Sequence, residues 1–187
     1  MDGFFFRMLP IKYVKSPDSV EGARRKGARY NPPLALAAKE YGLKDGFGLL
    51  YTATNPITCH FECRHILRGA IGSEYQVFPV EPALLITFNV SSSRVLNLTD
   101  LNVQSTLGLT HVDLVAPDSR FVLNAVNTLT PLQWLGVLAY QTGRFAAILA
   151  PSAFDDVVPS HCFNFLTEVR FEIQDVEEIL SHIALRG

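Results

Sequence analysis

Residues 22–33, GARRKGARYNPP, together with 48–54, GLLYTAT, and 56–67, PITCHFECRHIL, are the stretch from which the rest of the chain is read. The first segment is basic and punctuated by glycines, which allow the backbone to approach a ligand closely. Arg29 lies there between Ala28 and Tyr30, neighbours that argue for partial burial, and a guanidinium so placed calls for an anionic partner such as a phosphate. The second segment reads as a strand whose Tyr51 precedes the turn signal Asn55-Pro56, a position from which a side chain can face a cleft. The third reads as a helix from Pro56 to about Arg68. On its wheel His60, Arg64 and Arg68 share one side, while Glu62 falls opposite them beside Cys59 and Ile66, off the evident solvent face. A carboxylate in that apolar setting is costly unless a partner or a reaction justifies it.

The whole chain sets bounds around this stretch. Its 187 residues suit one domain, 1–187, with a substantial core. Apolar residues make up 48% and charged residues 18%, and no apolar run approaches the ~20 residues that span a bilayer, so a soluble protein without membrane contact is expected. The start, MDGFFFRMLP, is too short for the apolar region of an export signal. Cys59, Cys63 and Cys162 cannot all pair internally, which suits a reducing, cytoplasmic compartment. A net charge of -2 argues against a general nucleic-acid binder, although Arg24, Arg25 and Lys26 form a short basic cluster.

Along the chain, 3–8 reads as an aromatic strand delivering Arg7, followed by a loop through Ser19. A short helix over 33–41 stops at Gly42. Residues 74–99 alternate apolar runs with proline or serine breaks, predicting two or three antiparallel strands. Residues 100–127 carry no clear pattern. Thr130-Pro131 opens a helix that Gly143 closes, and 145–150 is a strand ending at Pro151-Ser152. A loop over 153–161, one or two strands over 162–173 and a terminal helix over 175–186 complete the reading. Strands and helices mix without regular alternation, so the class is α+β rather than a doubly wound sheet.

The glycine signatures of dinucleotide and P-loop sites are absent, as are G-x-S-x-G and H-E-x-x-H. Cys59, His60, Cys63 and His65 invite a zinc reading, but the histidines diverge on a helix and no second pair has ligand spacing, so core cysteines and no metal are expected. Cys162 beside His161 reads likewise as a core cysteine. Each remaining candidate also has a purely structural reading: Arg24, Arg25 and Lys26 a solvated basic turn, Glu62 a helix carboxylate paired with an arginine, Tyr51 a core ring whose hydroxyl finds a partner, Ser152 a turn residue.

Their order changes that balance. FFFR, then GARRKGARYNPP, then LLYTA, then a helix carrying Glu62, and finally APS resembles the RES-domain family, toxins of a class of bacterial toxin–antitoxin pairs named for an arginine, a glutamate and a serine. The similarity extends over nearly the whole chain and is most specific in residues 22–62. The family motif around its second arginine usually reads Gly-Gly-Arg-Trp-Asn-Pro; Arg29, Asn31 and Pro32 match it, and Tyr30 keeps an aromatic ring. Arg7 matches the early arginine, Tyr51 the strand-end tyrosine, Glu62 the glutamate and Ser152 the serine. Between Pro33 and Gly48 this chain is longer than compact members.

The resemblance implies an ADP-ribosyltransferase-like fold, with mixed, mainly antiparallel sheets and flanking helices around an NAD cleft. It implies NAD as substrate, Glu62, Arg29 and Tyr51 as catalytic residues, and Arg7, Tyr30, Asn31 and Ser152 as NAD-binding ones. It also implies an Xre-type antitoxin partner, with water or inorganic phosphate as acceptor; homo-oligomerisation is left open and direct nucleic-acid binding is not expected. Breaking the nicotinamide–ribose bond forms an oxocarbenium-like centre that a carboxylate stabilises, and nicotinamide leaves without help from a metal. Transfer of ADP-ribose to a protein is one alternative. A non-catalytic nucleotide or nucleic-acid module working through Arg24, Arg25, Lys26 and Arg29 is another, of a different class.

Overall fold

The alternation of FFFRM along the first strand decides where two apolar layers form. In the computed structural model, which describes residues 1–62, 66–68, 75–77, 83–116, 120–153, 161–165 and 170–179, this strand is β1 (Asp2–Pro10). It lies between β2 (Leu50–Ala53) and β5 (Ala83–Ser91), antiparallel to both. Phe6 sits opposite Ala53 and Met8 opposite Leu85, so these four share a face, while Phe5, Arg7 and Leu9 take the other. Phe5 and Leu9 join Leu50, Leu84, Ile86, Phe88 and Val90 in one buried cluster. Each such side chain contributes about 1.5–3 kcal/mol through burial.

The remaining strands extend this sheet at both sides. They are β6 (Val95–Asn97), β7 (Ala147–Pro151), β8 (His161–Phe165) and β9 (Arg170–Ile179), in the order β6-β7-β8-β2-β1-β5-β9. A separate hairpin pairs β3 (Ile66–Arg68) with β4 (Tyr75–Val77). The helices are α1 (Glu21–Lys26), α2 (Leu34–Tyr41), α3 (Pro56–Glu62), α4 (Leu101–Leu107), α5 (His111–Val115), α6 (Arg120–Ala125) and α7 (Pro131–Thr142), and α2, α3, α4, α5 and α7 pack over the Tyr51 side of the sheet. Tyr30, Leu36, Leu49, Leu114, Leu132, Val137 and Ile148 form the core between this layer and the sheet, with Tyr51 packed against it. The α+β class therefore holds.

Four expectations are corrected. The helix begun at Pro56 does not reach Arg68: Ile66–Arg68 is a strand paired with Tyr75–Val77. Ile66–Arg68 has a ladder partner close by in sequence, and pairing with it outweighs local helix propensity. Residues 175–179 are strand rather than helix, because β9 pairs with β5 from Arg170 to Ile179, with Gln174 bulging between Ile173 and Asp175. Asp175, where that helix was expected to start, instead lies on the outermost of the described strands, where charge discourages further pairing. Residues 180–186 of that expected helix lie outside the described residues. Within 74–99 the third strand, β6, runs parallel to β7 rather than antiparallel. Finally, the basic turn is helix α1, because Glu21 pairs with Arg24 and Arg25 at the i+3 and i+4 spacings.

Candidate functional site

Gly27 ends α1 at φ +73°, and a side chain there would meet Pro33 at 2.7 Å. The chain then turns back on itself: Ala28 N–H donates to Asn31 O at 2.8 Å and Asn31 N–H to Ala28 O at 3.4 Å. The Tyr51 hydroxyl fastens this turn to the sheet, accepting from Tyr30 N–H at 3.0 Å and donating to Asn31 Oδ1 at 3.0 Å. Asn31 is fully buried and also donates to the Ala23 carbonyl of α1 at 2.8 Å. Tyr30 is 1% exposed, a core ring rather than one open to a ligand. Tyr51 and Asn31 thus hold the turn from beneath, and Arg29 is the member that reaches outward.

Among the described residues, the Arg29 guanidinium makes one hydrogen bond, from one terminal nitrogen to the Ala116 carbonyl at 2.7 Å, just past α5. Its remaining N–H groups suit an anionic ligand. Arg7 is held differently, donating to Pro17 O at 2.6 Å and Ser19 O at 3.0 Å in the loop after its strand. It stands on the opposite face of β1 from Phe6 and Met8. Arg24 and Arg25 are tied to Glu21, whose carboxyl those two hydrogen bonds hold at about 2, well below its ordinary value.

Glu62 ends α3. Asn55 Oδ1 accepts from Thr58 N–H at 2.9 Å and from the Thr58 hydroxyl at 3.0 Å, capping the start of that helix, and the buried Cys59 thiol donates to Phe6 O at 3.3 Å. The carboxylate is thereby set against the end of β7. Glu62 Oε1 accepts from the Ser152 hydroxyl at 2.6 Å and from Ala153 N–H at 3.3 Å, and Ser152 is fully buried. The short O–H···O⁻ contact is charge-assisted. Glu62 as a whole is exposed, contrary to the wheel, which assumed a longer helix; a hydroxyl and an amide are among its partners.

Pairing through Asn164 of β8 sets Tyr51 level with Ile148. Ser152 lies four residues farther, roughly 13 Å along the strand direction. The two hydrogen-bonded sets, Arg29–Tyr30–Asn31–Tyr51 and Glu62–Ser152, are thus spaced along the sheet. An elongated ligand could span such a spacing with an anionic portion at Arg29. Cys63 and His65 lie outside the described residues; among the described residues no three His, Cys, Asp or Glu side chains gather, and no helix is long and apolar enough to cross a membrane.

Sequence reading missed the residues that support the turn from behind. Gln133 of α7 is fully buried and donates to Ala28 O and Asn31 O, both at 3.2 Å. Gly136, one turn on, lets the helix lie against Tyr30, whose carbonyl would be 1.7 Å from an added Cβ. The signal was present in Thr130-x-x-Gln133, a capping box that both residues form here.

Fold and site define a class: an α+β protein in which a strand-borne tyrosine, a turn arginine and a helix-borne carboxylate line one sheet. The RES domain model matches residues 5–186, and the chain belongs to that family. Among solved structures it is similar to a chain in the crystal structure of the M. tuberculosis MbcT–MbcA toxin–antitoxin complex, at 19% identity and a TM-score of 0.67, over 98% of this chain and 87% of that one. That likeness shows the fold. No curated protein matches the chain.

Proposed function

We propose that this RES-domain protein is an enzyme of toxin type that cleaves NAD at the nicotinamide–ribose bond. The observation that carries this reading is the oriented carboxylate: Ser152 and Ala153 N–H fix one oxygen of Glu62. The C–N bond breaks with its electron pair moving to the pyridinium nitrogen, releasing neutral nicotinamide. The cationic ribose carbon left behind is stabilised by the Glu62 charge. Water or inorganic phosphate then adds to that carbon, giving ADP-ribose and a proton or the ADP-ribose phosphate ester. Arg29 holds the pyrophosphate, and Tyr51 acts through the turn that carries Arg29. NAD is consumed as substrate, and the chemistry asks for no metal. By analogy with the complex to which its fold is similar, a cognate antitoxin is the partner that restrains it, in the cytoplasm.

Purified protein incubated with NAD, with and without phosphate, tests this. Nicotinamide release by wild type and its loss in Glu62→Ala support the reading; no release by wild type, or equal release by the variant, sinks it. Label from adenine-labelled NAD appearing on a macromolecule would point instead to a protein acceptor. The non-catalytic alternative predicts salt-sensitive binding that survives Glu62→Ala; the ties of Arg24 and Arg25 to Glu21 weigh against it.

A further inference from the structure

The turn carrying Arg29 has its polar support on a distant helix. Gln133 Nε2 donates to the carbonyls of Ala28 and Asn31, the two residues that flank Arg29 and Tyr30. Its other contacts set the carboxamide itself. Oε1 accepts from Thr130 N–H at 3.2 Å and from Asn124 Nδ2 at 2.8 Å, while Nε2 also donates to Asn124 Oδ1 at 3.0 Å. A fully buried amide with both ends engaged has one orientation available, and any rotation would leave buried carbonyls unsatisfied. Gly136 adds direct backbone contact at Tyr30.

We infer that Gln133, backed by Asn124, is a positioning residue that fixes the Ala28–Asn31 turn and so sets where Arg29 presents its guanidinium. Tyr51 holds the same turn from the sheet, so the turn is clamped between two layers. The effect on NAD rests on the function proposed above; the clamping itself rests only on these hydrogen bonds. A misplacement of Arg29 by about 1 Å would weaken ligand alignment and slow turnover by up to roughly a hundredfold.

Gln133→Glu and Gln133→Met test the inference in the full chain. The first keeps an oxygen for Thr130 N–H and Asn124 Nδ2 but removes the donor that Ala28 O, Asn31 O and Asn124 Oδ1 share. Burial raises the pKa of the introduced carboxyl, and protonation returns one O–H donor. The groups hydrogen-bonded to Gln133, namely Ala28, Asn31, Asn124 and Thr130, are uncharged. A new pH dependence therefore belongs to the introduced carboxyl.

At pH about 8, Gln133→Glu is expected to speed amide exchange at Ala28 and Tyr30 by about tenfold or more, corrected for intrinsic rates, while leaving the β1–β5 ladder unchanged. In parallel kcat/KM for NAD falls by about tenfold to a hundredfold. Both recover as the pH is lowered toward about 5, relative to wild type at the same pH. Gln133→Met shows the losses without the recovery. Unchanged exchange at Ala28 and Tyr30, equal losses in the β1–β5 ladder, or no recovery at low pH would each overturn the inference. If wild type cleaves no NAD, the proposed function fails and the exchange measurements alone decide the clamp.

Discussion

Tyr51 places its hydroxyl between a backbone donor and a side-chain acceptor of one turn. Tyr51→Phe removes both contacts and keeps the ring, so unfolding free energy should fall by about 1–3 kcal/mol in urea titrations. Ser152 acts on the other set. In Ser152→Ala the Glu62 carboxylate loses its hydroxyl donor, and kcat for the proposed NAD cleavage should fall about tenfold with KM nearly unchanged, as for an interaction strongest in the transition state. Arg25, 73% exposed in its side chain and paired with Glu21 at the surface, is the contrasting case: Arg25→Ala should alter stability by less than about 0.5 kcal/mol. Tyr51, Glu62, Ser152 and Arg29 stood out in the sequence through their order along the chain rather than singly. That the Tyr30 ring is buried could not be read there, because the helix covering it begins about a hundred residues later.

Between elements the outcome depends on what each segment packs against. α1 is short and leans on Glu21, whose pKa of about 2 lies below its ordinary 4.5 because Arg24 and Arg25 hydrogen-bond to the charged form. The charged form is favoured in the folded state. Its contribution is therefore complete above pH 4.5 and is lost as the pH falls toward 2. A carbon-detected NMR titration should place the Glu21 midpoint near 2, and Arg24→Ala should move it upward. Two glycines mark opposite extremes of helix packing. Gly136→Ala drives a methyl into the Tyr30 carbonyl and should cost about 3 kcal/mol, whereas Gly22, with nothing near an added Cβ, should gain about 0.4–1 kcal/mol as alanine. Thermal or chemical denaturation reads both. Local patterns succeeded where caps were strong, as at Thr130-Pro131 and Gly42. They failed at β9, where pairing with the distant β5 prevailed, and at β3, where pairing with the neighbouring β4 did.

At the scale of the whole molecule, β9 is the outermost strand beside β5, and its register covers the edge of that strand along nine residues. Removing residues 170–187 would bare that edge next to Ile86, Phe88 and Val90, and the truncated chain should associate or precipitate in size-exclusion chromatography. The α+β class was legible because strand and helix signals mixed without alternation. The sheet order was not, since it joins β2 to β8 and β5 to β9 across roughly eighty residues or more. The polar contacts of the site share that reach: Arg29 meets residue 116, Ala28 meets residue 133 and Glu62 meets residue 152, separations of 87, 105 and 90 residues. During synthesis, the arginine turn and the carboxylate helix leave the ribosome long before the segments that hold them. A nascent chain shorter than about 150 residues has its motif but not its site, because Gln133 and Ser152 must both have emerged before the turn and the carboxylate gain the partners that set them.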